Sequence, residues 1–165
     1  MDIQEDIRSL LQGPEFPDRE FVRGGATFGQ VYGMAAALLA QLAAAEHQAR
    51  HVCLATEDKG VLAAALLASL AGGPPLLLPY AFSTRALARM QQLTGFTTAI
   101  GDDGGQFPLG TVVISPPQRN SGQRLSPARM LPGRELLQIF TGGSTGAPQA
   151  WSKSGANIFG EGFFL

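Results

Sequence analysis

From residues 2–11 the apolar positions Ile3, Ile7, Leu10 and Leu11 recur at helical spacing, and Gly13-Pro14 then stops the turn. A short amphipathic helix therefore opens the chain. A short strand is expected around Phe21 and Val22. Thr27 followed by Gln30 has the form of a capping box, in which each side chain satisfies the other residue's free backbone N–H, and a long helix to about Glu46 follows. Residues 51–55, His-Val-Cys-Leu-Ala, form an apolar run of strand length, and the Ala/Leu-rich residues 59–70 read as a helix with a glycine stop at Gly72-Gly73. Residues 75–78 repeat the strand signal, and Ser83 caps a helix running to Leu93. Residues 97–100 are strand-like again before Gly101-Asp102-Asp103-Gly104-Gly105.

The pattern is β-α-β-α-β with runs apolar on both faces, which predicts an α/β fold: a largely parallel sheet flanked by helices on both faces. Residues 111–114 are a further β-branched strand candidate. Residues 115–131 collect Pro, Gln, Arg, Asn and Ser without apolar periodicity and read as an exposed connection. Residues 136–140 form the strand that delivers the chain into a glycine-rich loop. Trp151-Ser152-Lys153 is the returning strand, before a helix capped by Ser154.

With 165 residues, 45% of them hydrophobic, the chain can bury one sizeable core, and residues 1–165 are expected to form a single domain. The net charge of −1, with basic residues scattered along the chain, leaves no stripe for a polyanion and disfavours nucleic acid as the partner. Cys53 is the one cysteine, so neither an intrachain disulfide nor a cysteine-cluster metal site is available. The acidic start is unlike a secretory signal, and the longest apolar stretches fall short of the roughly 20 residues a bilayer crossing needs. A cytoplasmic protein without a membrane span is expected.

The candidate chemistry lies in Thr141-Gly142-Gly143-Ser144-Thr145-Gly146. Glycines permit positive φ and close approach, so successive backbone N–H groups can converge on an anion, and the Thr141, Ser144 and Thr145 hydroxyls add donors. Many neutral donors hold an oxyanion without a permanent buried charge. Gly/Ser/Thr clusters are also ordinary turn material. The phosphate loop ending in Lys-Ser or Lys-Thr and the G-x-G-x-x-G dinucleotide pattern are both absent. Residues 142–146 do fit the G-x-S-x-G nucleophile elbow of serine hydrolases. There the triad histidine follows the serine, whereas His47 and His51 precede Ser144 by about ninety positions, and Pro148 disturbs the helix required behind the nucleophile.

The run Ile139-Phe140-Thr141-Gly142-Gly143-Ser144-Thr145-Gly146-Ala147-Pro148 resembles the signature of the adenylate-forming superfamily of acyl-CoA synthetases, peptide-synthetase adenylation domains and luciferases. Asn157 falls where that family often has Asn, and the order of elements from Ala26 to Pro79 resembles the family's opening subdomain. The resemblance implies an AMP-forming ligase. A carboxylate attacks the α-phosphate of ATP, accompanied by Mg2+, pyrophosphate leaves, and the acyl group passes to a thiol of CoA or a carrier protein. Thr141, Gly142, Gly143, Ser144, Thr145 and Gly146 would then hold the β- and γ-phosphates, by positioning and electrostatics rather than as nucleophiles.

Two residues depart from that signature: Gly142 stands where the family usually has Ser or Thr, and Gln149 where it usually has Lys. A Pro-Gln variant resembles that of some acyl-activating enzymes in which a later lysine partly compensates, and Lys153 is the candidate here. The family's adenine pocket, ribose-binding aspartate and late catalytic lysine have no counterpart before Leu165. The expectation is an N-terminal portion of a ligase that is inactive by itself and assigns no catalytic residue. The alternative is a non-catalytic α/β module for binding or homodimerisation, since an apolar face left by missing subdomains favours self-association. His51, Trp151, Asp102 and Asp103 are expected to be structural.

Overall fold

The computed structural model describes residues 2–44, 49–102, 106–126, 133–142 and 146–163. Its elements, in chain order, are helices α1 (Ile3–Gln12) and α2 (Phe28–Ala44), strand β1 (Val52–Ala55), helix α3 (Lys59–Leu70), strand β2 (Leu76–Leu78), helix α4 (Thr84–Thr94), strands β3 (Thr98–Gly101), β4 (Val112–Ile114), β5 (Glu135–Thr141) and β6 (Gln149–Ser154), and helix α5 (Gly155–Phe163).

Local chemistry sets the helix starts. The Gln30 N–H donates to Thr27 Oγ1 at 3.2 Å while the Thr27 N–H donates to Gln30 Oε1 at 3.0 Å, the reciprocal box that starts α2. Asp58 Oδ1 accepts from the N–H groups of Gly60 and Val61 to start α3, and Ser83 Oγ accepts from Ala86 N–H to start α4. Helix α4 ends on Gly95 at φ +70°, the left-handed position a glycine takes without steric cost. Asn157 is a cap partner: its N–H donates to Ser154 Oγ and its Oδ1 accepts from the Ser154 N–H and hydroxyl.

The strand expected at Phe21 and Val22 is not formed. The N–H groups of both residues donate to the carbonyl of Ala26, closing a turn through Gly24 at φ +67°, with one bridge between Glu20 and Thr27. Two consecutive glycines, Gly24 and Gly25, favour that reversal over an extended run.

The sheet has the order β4-β3-β1-β2-β5-β6; the first five strands are parallel, and β6 pairs antiparallel to β5. Chain direction explains the layers. Helix α3 connects β1 to β2 in one direction along the sheet, and α4 connects β2 back past β1 to β3, so right-handed crossovers put them on opposite faces. The strand alternation agrees: Val52 and Leu54 join the core with α2 and α3, whereas Cys53 and Ala55 join Leu87 and Met90 of α4.

Residues 115–126 carry no helix or strand and are exposed or half-buried except for Leu125, which is buried in the α2/α3 core. Arg119 reaches Asp58 at 3.0 Å. A Cβ on Gly33 of α2 would lie 1.5 Å from the Asn120 carbonyl oxygen, so this return path is pressed directly onto the helix backbone. Pro127–Leu131, the rest of the expected connection, lies outside the described residues. Arg134 then donates to the carbonyls of Ser69 and Gly73, both at 2.7 Å, and closes the C-terminal end of α3. Among the described residues, no helix is long and apolar enough to cross a membrane.

Candidate functional site

Because β1, β2, β3 and β5 run parallel, their carboxyl ends lie along one rim. The helices that follow the neighbouring strands β1 and β2 leave to opposite faces, which opens a crevice at that rim where α/β sheets take ligands. Thr56 and Asp58 follow β1, Tyr80 follows β2, Asp102 follows β3, and the glycine-rich loop follows β5.

Two acidic residues of this rim, Asp58 and Asp102, are engaged in structure. The Thr56 hydroxyl, 5% exposed, donates to Asp102 Oδ2 at 3.0 Å and accepts from the Asp58 N–H at 3.1 Å. Partial burial pushes the Asp58 carboxyl up, but the Arg119 guanidinium and the N–H groups of Val61 and Gly60 outweigh it and leave the pKa lowered. Asp103 lies outside the described residues. No group of three His, Cys, Asp or Glu among the described residues is arranged to hold a metal ion.

Of the loop, Thr141, Gly142 and Gly146 are described, whereas Gly143, Ser144 and Thr145 are not. Thr141 closes β5 opposite Gln149 and is exposed, so its hydroxyl stands at the rim. Gly146, at φ +91°, uses a backbone conformation that L side chains rarely adopt. Gly142 is under no such constraint, since a Cβ there would meet Tyr80 Cδ2 at 3.6 Å, an ordinary contact. A hydroxyl-bearing residue fits at position 142.

Lys153 does not sit with the loop. The β5–β6 register places it opposite Leu137, four positions along β6 from Gln149, or roughly 13 Å at strand spacing. The chain leaves the loop as the antiparallel strand β6, not as a helix, so the strand-turn-helix geometry of a nucleophile elbow is absent. His51 precedes β1 at the opposite, amino rim, and His47 lies outside the described residues.

At that amino rim His51 Nε2 lies 3.0 Å from Glu135 Oε1, Ser152 Oγ donates to Glu135 Oε2 at 2.6 Å, and Gln138 Nε2 donates to both oxygens. Partial burial pushes the Glu135 carboxyl up; the hydrogen bonds from Ser152, Gln138 and His51 overcome this and lower its pKa. The network fastens β5 to β6 and to the start of β1. Cys53, fully buried, has its thiol pushed up to about 12 by burial and is an inert core residue. Trp151, by contrast, is 57% exposed on β6 rather than a packing anchor.

What the sequence reading missed is the wall facing the loop. Tyr80, Ser83, Arg85, Arg89, Gln92 and Gly146 line a groove of about 600 Å3 between α4 and the loop. The signal was present as two arginines four residues apart in a helix, but nothing local says that this helix faces the loop.

No family model matches the chain, and no curated protein matches it. Solved structures do. McyG A-PCP complexed with phenylalanyl-adenylate is similar at 22% identity and TM-score 0.65, over 82% of this chain and 24% of that one. The N-terminal subdomain of NpsA from Klebsiella oxytoca, in complex with 3-hydroxybenzoyl-AMSN, is similar at 21% identity and TM-score 0.63, over 93% of this chain and 40% of that one. The o-succinylbenzoate CoA synthetase MenE from Bacillus subtilis, in complex with AMP, is similar at 14% identity and TM-score 0.65, over 84% of this chain and 38% of that one. The present chain thus spans well under half the length of each, and at these identities the likeness is one of fold.

Proposed function

We propose that this chain, which has the fold of the N-terminal subdomain of adenylate-forming enzymes, is the phosphate-loop portion of an ATP-dependent carboxylate:thiol ligase. The observation that carries the reading is the placement of the Thr141–Gly146 loop: it ends a parallel strand at the carboxyl rim of the sheet, beside Tyr80, and turns back into an antiparallel strand. A loop so placed presents neutral N–H and hydroxyl donors to a polyphosphate.

The residues present suit that ligand. Thr141 is exposed, Gly146 has a positive φ, and among the described residues no carboxylate lines the adjoining groove to repel an anion. In the proposed reaction a substrate carboxylate oxygen bonds to the α-phosphorus of ATP while the bond to pyrophosphate breaks. The leaving group gains charge, and Thr141, Gly142, Gly143, Ser144, Thr145 and Gly146 hold its phosphates in line. Mg2+ would accompany the nucleotide and offset phosphate charge. The thiol sulfur of CoA or of a carrier protein then bonds to the acyl carbon while the bond to AMP breaks, AMP leaves and the thiol proton is released to solvent, in a cytoplasmic setting.

On this reading the 165 residues bind ATP but do not adenylate by themselves. Calorimetry with ATP and Mg2+ tests the first part: binding that weakens in a Gly146→Val variant is expected, and no binding by the wild-type chain would remove the phosphate-loop reading. Acyl-AMP or steady pyrophosphate release from the chain with a panel of carboxylic acids would overturn the second.

A second reading, a module for self-association, is favoured by one feature, the outer strand β6 with Trp151 turned to solvent. Sedimentation of the chain separates the two: a dimer that dissociates on Trp151→Ser supports association through this edge.

A further inference from the structure

The loop lacks the cation that its family signature carries at position 149, and Lys153 stands at the far end of the hairpin. Positive charge reaches the loop from another element. Arg85 and Arg89 are one helical turn apart on α4, so both guanidinium groups project from one face. That face and Gly146 line the same groove. Among the described residues no carboxylate lines it, and neither arginine is ion-paired. Like charges at this spacing repel in the empty groove, and an anion between them removes the repulsion. The groove is otherwise walled by small or neutral residues: Ala81, Ala86 and Ala88 leave room, while Ser83 and Gln92 add hydrogen-bonding groups. Ser83 Oγ already accepts from Ala86 N–H, which leaves its O–H free to donate outward.

We propose that this groove is a phosphate-binding arm of the site, in which Arg85 and Arg89 grip the outermost phosphate of the polyphosphate beside the glycine-rich loop. The inference rests on the phosphate-loop reading of Thr141–Gly146 and deepens it. Guanidinium forks match phosphate oxygens in pairs, and a planar donor on a long stem reaches across an open groove where a lysine on β6 cannot. The loop then supplies shape and neutral donors, and α4 supplies the charge. This division accounts for the absence of lysine at position 149.

Inorganic tripolyphosphate titrated into the full 165-residue chain at low salt tests the proposal by calorimetry, with CoA titrated in parallel. The R85Q/R89Q variant should bind tripolyphosphate at least about tenfold more weakly and with a shallower salt dependence, while R85K/R89K retains part of the affinity. Both variants should keep the wild-type circular dichroism spectrum and melting profile, because these side chains are exposed. Undiminished tripolyphosphate binding by R85Q/R89Q, with loss in Gly146→Val, overturns the arginine arm and leaves the loop reading standing. Loss of CoA binding alone assigns the groove to the thiol acceptor's phosphates and also overturns the proposal. Failure of the wild-type chain to bind tripolyphosphate removes both.

Discussion

The two faces of the sheet are built differently. On one face α3 is packed between the strands and α2, so it buries residues around much of its circumference, and the return path from β4 is pressed over both helices. On the other face α4 lies as a single layer, anchored by Ala86, Leu87 and Met90, with its remaining surface open. The single layer leaves an outer face with two arginines beside the loop. The larger core cluster lies on the first face, and the arginine-lined groove lies on the second.

Core truncations give the largest test of this contrast. Leu38→Ala, at a fully buried position of α2 held from several sides, should cost about 4 kcal/mol in urea unfolding, whereas Leu87→Ala, also fully buried but on a helix free to shift inward, should cost about 2 kcal/mol. Equal losses would break the comparison. Gly33→Ala should cost about 2 kcal/mol in thermal or chemical unfolding, because its methyl group displaces the Asn120 backbone, and a neutral outcome would show that the return path is not pinned there.

A smaller effect comes from the amino rim. The folded pKa of Glu135 is lowered, so its contribution is fully present above the unfolded carboxylate value, about 4.3, and is lost as pH falls through the lower folded value. Unfolding of Glu135→Gln measured across that range should show a flatter acid limb than wild type; parallel limbs would show that the network carries no linkage. Smallest of all, R85Q/R89Q should change unfolding free energy by no more than about 0.5 kcal/mol, as for exposed positions without packed partners. A larger loss would make α4's outer face structural after all.

Much of the architecture was legible along the chain. The helix at residues 59–70 and the strand candidates after His51 and before the loop were expected within a residue or two of where they form. The reciprocal Thr27–Gln30 cap was expected, and both of its hydrogen bonds are present. The strand expected at Phe21 and Val22 does not form because Gly24 and Gly25 just behind it turn the chain back. At the site, the loop is legible in its composition and Lys153 is the lysine that follows it, whereas nothing local marks the arginines of α4 as neighbours of the loop. Distance along the chain is a poor guide there: Lys153 is seven residues after Gly146 yet moves away along a strand, whereas Arg85 and Arg89 lie far earlier and line the same groove.

The amino-acid sequence by itself determined the elements and their ends, because caps, glycine stops and hydrophobic periodicity act between residues within about a turn of one another. It also determined the α/β class, since alternating strands and helices with strands apolar on both sides admit few packings. Tertiary structure alone decided the order of strands, the pressing of Asn120 onto Gly33, and the meeting of α4 with the loop. Those depend on crossover handedness and on pairings between distant segments, which no local run of residues encodes.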